Sequence, residues 1–123
     1  IEISVHQQKP KLEKIYCAAD WGFIVDPDGL KAQLEGAILF GLTAALYGKI
    51  DIEDGRVSQS NFHDYPVLRM NETPEIVVTL LPSEEPPGGA GEIGTPVAAP
   101  ALANAWFSAT GTRVRTLPLL ANK

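Results

Sequence analysis

The stretch from Asp26 to Tyr47 constrains this chain more than any other. Asp26 can cap a helix with its carboxylate, and Pro27 suits the first helical position, where a backbone N–H is not needed. Beyond them Leu30, Leu34, Ala37, Ile38, Gly41, Leu42, Ala45 and Leu46 recur at helical spacing. The later turns are apolar nearly all round, so this helix must be covered on more than one side. Gly36 and Gly41 weaken it, and close approach of another backbone is the expected reason. A chain of 123 residues has room for one domain and one modest core, and this helix is its natural axis.

Strand signals surround it. Ile1 to His6 alternates, and Lys14 to Asp20, β-branched and aromatic at its front, reads as a second strand paired with the first. Lys49 to Glu53 and Arg56 to Ser60 flank Asp54-Gly55, a strong hairpin signal. Glu75 to Leu81 is apolar on both faces, so a central strand is expected there. Thr95 is the expected cap of a second helix with Pro96 at its first position, Pro100 should make its start irregular, and Gly111 should end it. Arg113 to Leu117 is expected to add a last short strand. The order is β-β-α-ββ-β-α-β, an α+β fold of two layers with a mixed sheet and two main helices, in a single domain over residues 1–123.

Several function classes fall away. A net charge of −5 with no local cluster of Lys and Arg argues against nucleic acid, and Arg113 and Arg115 are too few to track phosphates. The apolar run from Gly36 to Tyr47 is too short to span a bilayer. The single Cys17 forms no internal disulfide and reads as a small buried hydrophobe. His6 and His63 lack partners at ligand spacing, so no metal site is expected. There is no Gly-x-Ser-x-Gly elbow and no Walker loop. The sequence opens as a strand already under way, without an initiator Met or leader, and is expected to be a fragment, either an excised domain or the C-terminal part of a longer polypeptide, whose compartment stays open.

The chemistry concentrates in Pro86-Pro87-Gly88-Gly89-Ala90-Gly91-Glu92-Ile93-Gly94-Thr95-Pro96, a glycine-rich loop with one carboxylate among its glycines. Such a backbone can approach another group closely, and Glu92 stands with little steric cover. Gly89 to Gly94 satisfies G-x-G-x-x-G literally, yet the loop follows a Pro-Pro pair and no acidic residue lies beyond Glu92 to bind a ribose. Glu92 would also oppose a pyrophosphate. Two readings remain at this level: a site, or a tight strand-to-helix turn with a solvated Glu. Gln33 and Glu35 sit on the polar side of the first helix but not on one face, so both are solvated or one of them points toward a site.

Three ordered segments carry a resemblance. They are Asp26-Pro27-Asp28-Gly29-Leu30-Lys31-Ala32-Gln33-Leu34-Glu35-Gly36-Ala37, then Ser60-Asn61-Phe62-His63-Asp64-Tyr65-Pro66, and the run from Glu85 through the glycine loop to Ala105. Together they resemble the molybdenum-binding subunit of the xanthine oxidase and aldehyde oxidase family, most of all the large subunit of isoquinoline 1-oxidoreductase-type enzymes. The likeness runs from about Lys14 to Leu119 and covers the C-terminal portion of such subunits. It departs at Asp26 (commonly Asn), Ile93 (often Pro) and Trp21 (often small or Cys), which bears on substrate preference more than on cofactor.

The resemblance implies hydroxylation of an aromatic N-heterocycle or aldehyde with water-derived oxygen, and Glu92 as general base. It implies molybdopterin, as its cytosine dinucleotide, with molybdenum. Gln33 would hydrogen-bond the pterin, and Gly88, Gly89, Ala90 and Gly91 would bring backbone N–H groups to it. The implied partners are the upstream part of the same subunit, a small-molecule substrate and a separate iron–sulfur subunit, since one cysteine cannot hold a cluster. The isolated chain is expected to bind no cofactor, to be inactive, and to self-associate through its apolar helix. The contrasting reading is a small α+β interaction module whose glycine loop is only a turn.

Overall fold

The computed structural model describes residues 1–120. Strands β1 (Glu2–His6) and β2 (Lys9–Ala19) precede helix α1 (Pro27–Tyr47). The short hairpin of β3 (Ile52–Glu53) and β4 (Arg56–Val57) follows, then a 3₁₀ turn (Met70–Glu72), strand β5 (Glu75–Leu80) and helix α2 (Gly94–Thr110). The sheet order is β1-β2-β5, with β1 antiparallel and β5 parallel to β2. One layer is therefore a mixed sheet and the other a helix pair, as the α+β expectation required.

The first hairpin closes at Gln7 and Gln8, which take positive φ of 47° and 60°. No glycine or asparagine marks this turn, and so β2 begins earlier than its apolar pattern suggests. Ile3 lies opposite Leu12 but Glu2 opposite Lys14, leaving Glu13 as an extra residue on β2. That bulge re-phases the strand: Leu12 faces the core before it, and Ile15, Cys17 and Ala19 face it afterwards. Burial pushes the Cys17 thiol pKa up, which leaves it a poor nucleophile.

β2, not β5, is the central strand. The two-sided apolarity of β5 reports its burial rather than its position: Ile76, Val78 and Leu80 pack on the core, and Val77 is half-buried on the other face. Arg113 to Leu117 forms no strand. Arg113 instead stacks its guanidinium 3.7 Å from the centre of the Phe107 ring. Beyond it, Leu119 and Leu120 donate their N–H groups to the Ala45 and Leu46 carbonyls at 2.8 and 3.0 Å. Those carbonyls lie in the last turn of α1, where no intrahelical donor remains, and they hold the chain away from the sheet.

Helix α1 starts as its sequence dictates, with Asp26 Oδ1 accepting from Gly29 N at 3.1 Å. Its buried residues Leu34, Ile38, Leu42, Ala45 and Leu46 join Leu12, Ile15, Trp21, Ala98 and Leu102 in one core. Gly41 marks the close approach foreseen for it: a Cβ there would strike the Thr95 carbonyl and the Ala98 side chain of α2. Gly36, by contrast, has open space around it. Near the end of α1 the half-buried Tyr47 hydroxyl donates to Glu72 Oε1. Burial first, and then the Glu72 carboxylate, push the Tyr47 pKa up to about 12.

Candidate functional site

The glycine loop is held at both ends and free in between. At its upstream end Gly88 donates its N–H to the Trp21 carbonyl at 2.9 Å, and Phe23 donates to the Glu85 carbonyl at 2.8 Å. These two bonds straddle Gly22, which is buried at φ 77°, with its own N–H donated to Asp20 Oδ1 at 2.9 Å. At the downstream end Gly94 lies against Leu34, Ala37 and Ile38 of α1. Thr95, expected to cap α2, does something else. Its hydroxyl donates across to the Ala37 carbonyl at 3.1 Å, while Ile93 occupies the capping position in helical conformation without a side-chain bond. Helix α2 so begins at Gly94 and carries Pro100 inside it.

Between these anchors the N–H groups of Gly89, Ala90 and Gly91 make no hydrogen bond among the described residues. A Cβ on Gly89 would meet nothing within 4 Å, and one on Gly91 would lie 3.9 Å from Gln33 Oε1. The fold thus brings Gln33 on α1 beside the glycine loop, although the two lie far apart in sequence. Glu92 is exposed at the end of the loop, its carbonyl accepting from Thr95 N at 3.0 Å and its carboxylate in no ion pair among the described residues. Glu35 is half-buried on α1 and does not share the face of Gln33.

Gln33 and Gly88 also line a cavity of about 260 Å³ with Trp21, Phe23, Val25 and Pro87. Its walls are mostly apolar, with Asp26 at one side, and the Gln33 amide offers both a donor and an acceptor there. The buried Trp21 indole N–H has no hydrogen-bond partner among the described residues. An apolar cleft with a few directed polar groups suits a flat heteroaromatic ring. The Gln33 amide and the unpaired loop N–H groups are the residues that could hold a pterin, and the bare glycines leave it room to approach. Among the described residues no group of His, Cys, Asp and Glu could hold a metal ion. His63 only neighbours Asp64 at 3.5 Å, in an exposed loop.

The strap from Trp21 to Phe23 is the part that sequence reasoning missed. A glycine directly after the apolar strand, in Asp20-Trp21-Gly22, was its one visible signal.

A family model described as a molybdopterin cofactor-binding domain matches residues 1–74. The chain is 40% identical over 108 residues to isoquinoline 1-oxidoreductase subunit beta of Brevundimonas diminuta, which covers 88% of this chain and 14% of that protein. It is 45% identical over 107 residues to a membrane-bound aldehyde dehydrogenase of Gluconacetobacter polyoxogenes named for pyrroloquinoline-quinone, again 14% of that protein. In fold it is similar to quinoline 2-oxidoreductase from Pseudomonas putida 86, with a TM-score of 0.85, 18% identity, and coverage of 96% of this chain and 16% of the other. The chain therefore spans about 14% of the length of these two sequence relatives, and it belongs to the molybdopterin cofactor-binding domain family.

Proposed function

We propose that this chain supplies the base and part of the cofactor-binding surface of a molybdenum hydroxylase that acts on an aromatic N-heterocycle or an aldehyde. One observation carries the reading: Gln33 and the open glycine loop that ends in Glu92 converge on one place, from segments far apart in sequence. The relatives' names, isoquinoline 1-oxidoreductase and aldehyde dehydrogenase, support those substrate classes. The molybdenum cofactor, in our reading its cytosine dinucleotide form, supplies the redox chemistry when bound. Gln33 orients the pterin through its amide, and Gly89, Ala90 and Gly91 offer backbone N–H groups to it, whereas the Gly88 N–H, expected to do the same, is taken up by the Trp21 carbonyl. A carboxylate oxygen of Glu92 takes up the proton released as water-derived oxygen is delivered to the substrate. Its exposure in this chain suits that role once other parts of the full-length subunit cover it, because exclusion of water keeps a carboxylate basic. Electrons leave through a separate iron–sulfur subunit, in keeping with the subunit naming of the relative.

The test is Glu92→Gln in the full-length protein. Molybdenum and pterin contents should stay at the level of the unsubstituted protein while turnover falls about 10²–10⁴-fold. Unchanged turnover would remove Glu92 from the role. A purified protein that holds pyrroloquinoline-quinone and no molybdenum would overturn the cofactor assignment.

A further inference from the structure

We infer that the Trp21-Gly22-Phe23 strap is a clasp that sets the position of the glycine loop, with Gly22 as its positioning residue; the catalytic half of this inference rests on the proposed role of Glu92. Three constraints meet at Gly22. Its N–H is held by Asp20, its φ of 77° disfavours a side chain, and a Cβ would run into the Glu85 and Pro86 carbonyls that pass over it. Trp21, only 5% exposed, plants the strap in the core. The bonds from Gly88 to Trp21 and from Phe23 to Glu85 then fix the loop just before its unbonded part.

The downstream anchor at Gly94 and Thr95 belongs to the helix pair and is independent of the strap. Loss of the clasp therefore frees residues 85–91 while α2 stays docked. Glu92 sits between the two anchors. A carboxylate that must meet a reacting centre tolerates little displacement, and a misplacement of about 1 Å can cost about a hundredfold in rate.

The experiment compares Gly22→Ala, Phe23→Pro and Phe23→Ala in the full-length protein by amide hydrogen exchange and steady-state kinetics. Phe23→Pro removes the N–H that bonds Glu85 and puts no Cβ on Gly22, and Phe23→Ala keeps that N–H while losing the cavity-lining ring, so it controls for the ring that Phe23→Pro also loses. Gly22→Ala and Phe23→Pro should each speed exchange at the Gly88 N–H, which bonds the Trp21 carbonyl, by about tenfold or more, with exchange in the core segment of α1 unchanged. Per bound molybdenum, kcat should fall about ten- to a hundredfold with KM within about twofold. Phe23→Ala should leave loop exchange unchanged. The clasp is refuted if Gly22→Ala and Phe23→Pro leave loop exchange unaltered, or if Phe23→Ala loosens the loop as much as Phe23→Pro. A loosened loop with unchanged kcat refutes the catalytic half alone. Failure of the functional reading is separate: it would show as undiminished turnover in Glu92→Gln, whereas loop exchange reports on the clasp regardless.

Discussion

The helix pair and the arm between residues 49 and 66 keep their shapes by different physics. Where α1 meets α2, contacts are mostly apolar, with the Thr95–Ala37 bond among them, and join segments far apart in sequence: Gly41 against Thr95 and Ala98, and Gly94 against Leu34 and Ile38. The arm is stitched by its own polar groups. Gln59 accepts from Asp51 N at 2.9 Å and returns a bond to Asp51 Oδ2 at 3.1 Å, and the Asp64 carboxylate accepts from Ser60 N and Asn61 N. Its apolar side chains point outward, with Ile52 72% and Phe62 65% exposed. The first region should respond to changes in volume, and the second to changes in charge. Gln33 and the loop's downstream anchor belong to the first.

The largest break in the comparison should come from Leu42→Ala. Leu42 has no exposed surface, and its truncation should cost about 2–5 kcal/mol in urea unfolding. The same truncation of Ile52 in the arm should stay within about 0.5 kcal/mol, and a large loss there would erase the distinction.

Next in size is a contrast inside α1. Gly41→Ala should lose about 1–3 kcal/mol, because backbone rather than a flexible side chain occupies the space. Gly36→Ala should gain up to about 1 kcal/mol from helix propensity alone. Equal effects at the two positions would show that the helices do not pack as closely as described.

The smallest effect is the pH response of the arm. Backbone N–H groups of Asn61, then Ser60, hold the Asp64 pKa at about 2, below its ordinary 3.8. A lowered folded pKa means that this support is complete above the unfolded value and disappears as pH falls through the folded one. Amide exchange at Ser60 and Asn61, corrected for its intrinsic pH dependence, should therefore stay slow down to about pH 4 and accelerate toward pH 2. Asp64→Asn should show fast exchange already at neutral pH.

The fold was legible where local chemistry and tertiary need agree. The Asp26 cap, the helix it starts, the Asp54-Gly55 turn and the left-handed Gly111 took the forms their residues dictate, although α1 buries one face and leaves Phe40 and Ala44 exposed on the other. What escaped was set by partners distant in sequence. Nothing near Thr95 announces that its hydroxyl serves the Ala37 carbonyl, and nothing in Arg113 to Leu117 announces that the following residues bond the end of α1. The place of β5 at the sheet edge is likewise a fact about its neighbours. At the candidate site the residue types were readable, and the motifs suggested their grouping. The strap beneath the loop was not readable, since backbone carbonyls and N–H groups do that work and every residue has them.

The parallel pairing of β2 with β5 has a kinetic consequence. Lys14 stands opposite Glu75, so α1 and the whole arm lie within the loop that this pairing closes. The β1-β2 hairpin can form from neighbouring residues, but the third strand must be recruited across that distance, and such contacts are slow to form. β5 should thus join late in folding. Substitutions at Ile76 or Val78 would speed unfolding far more than they slow folding, and β5 would be the part of the sheet that first leaves it.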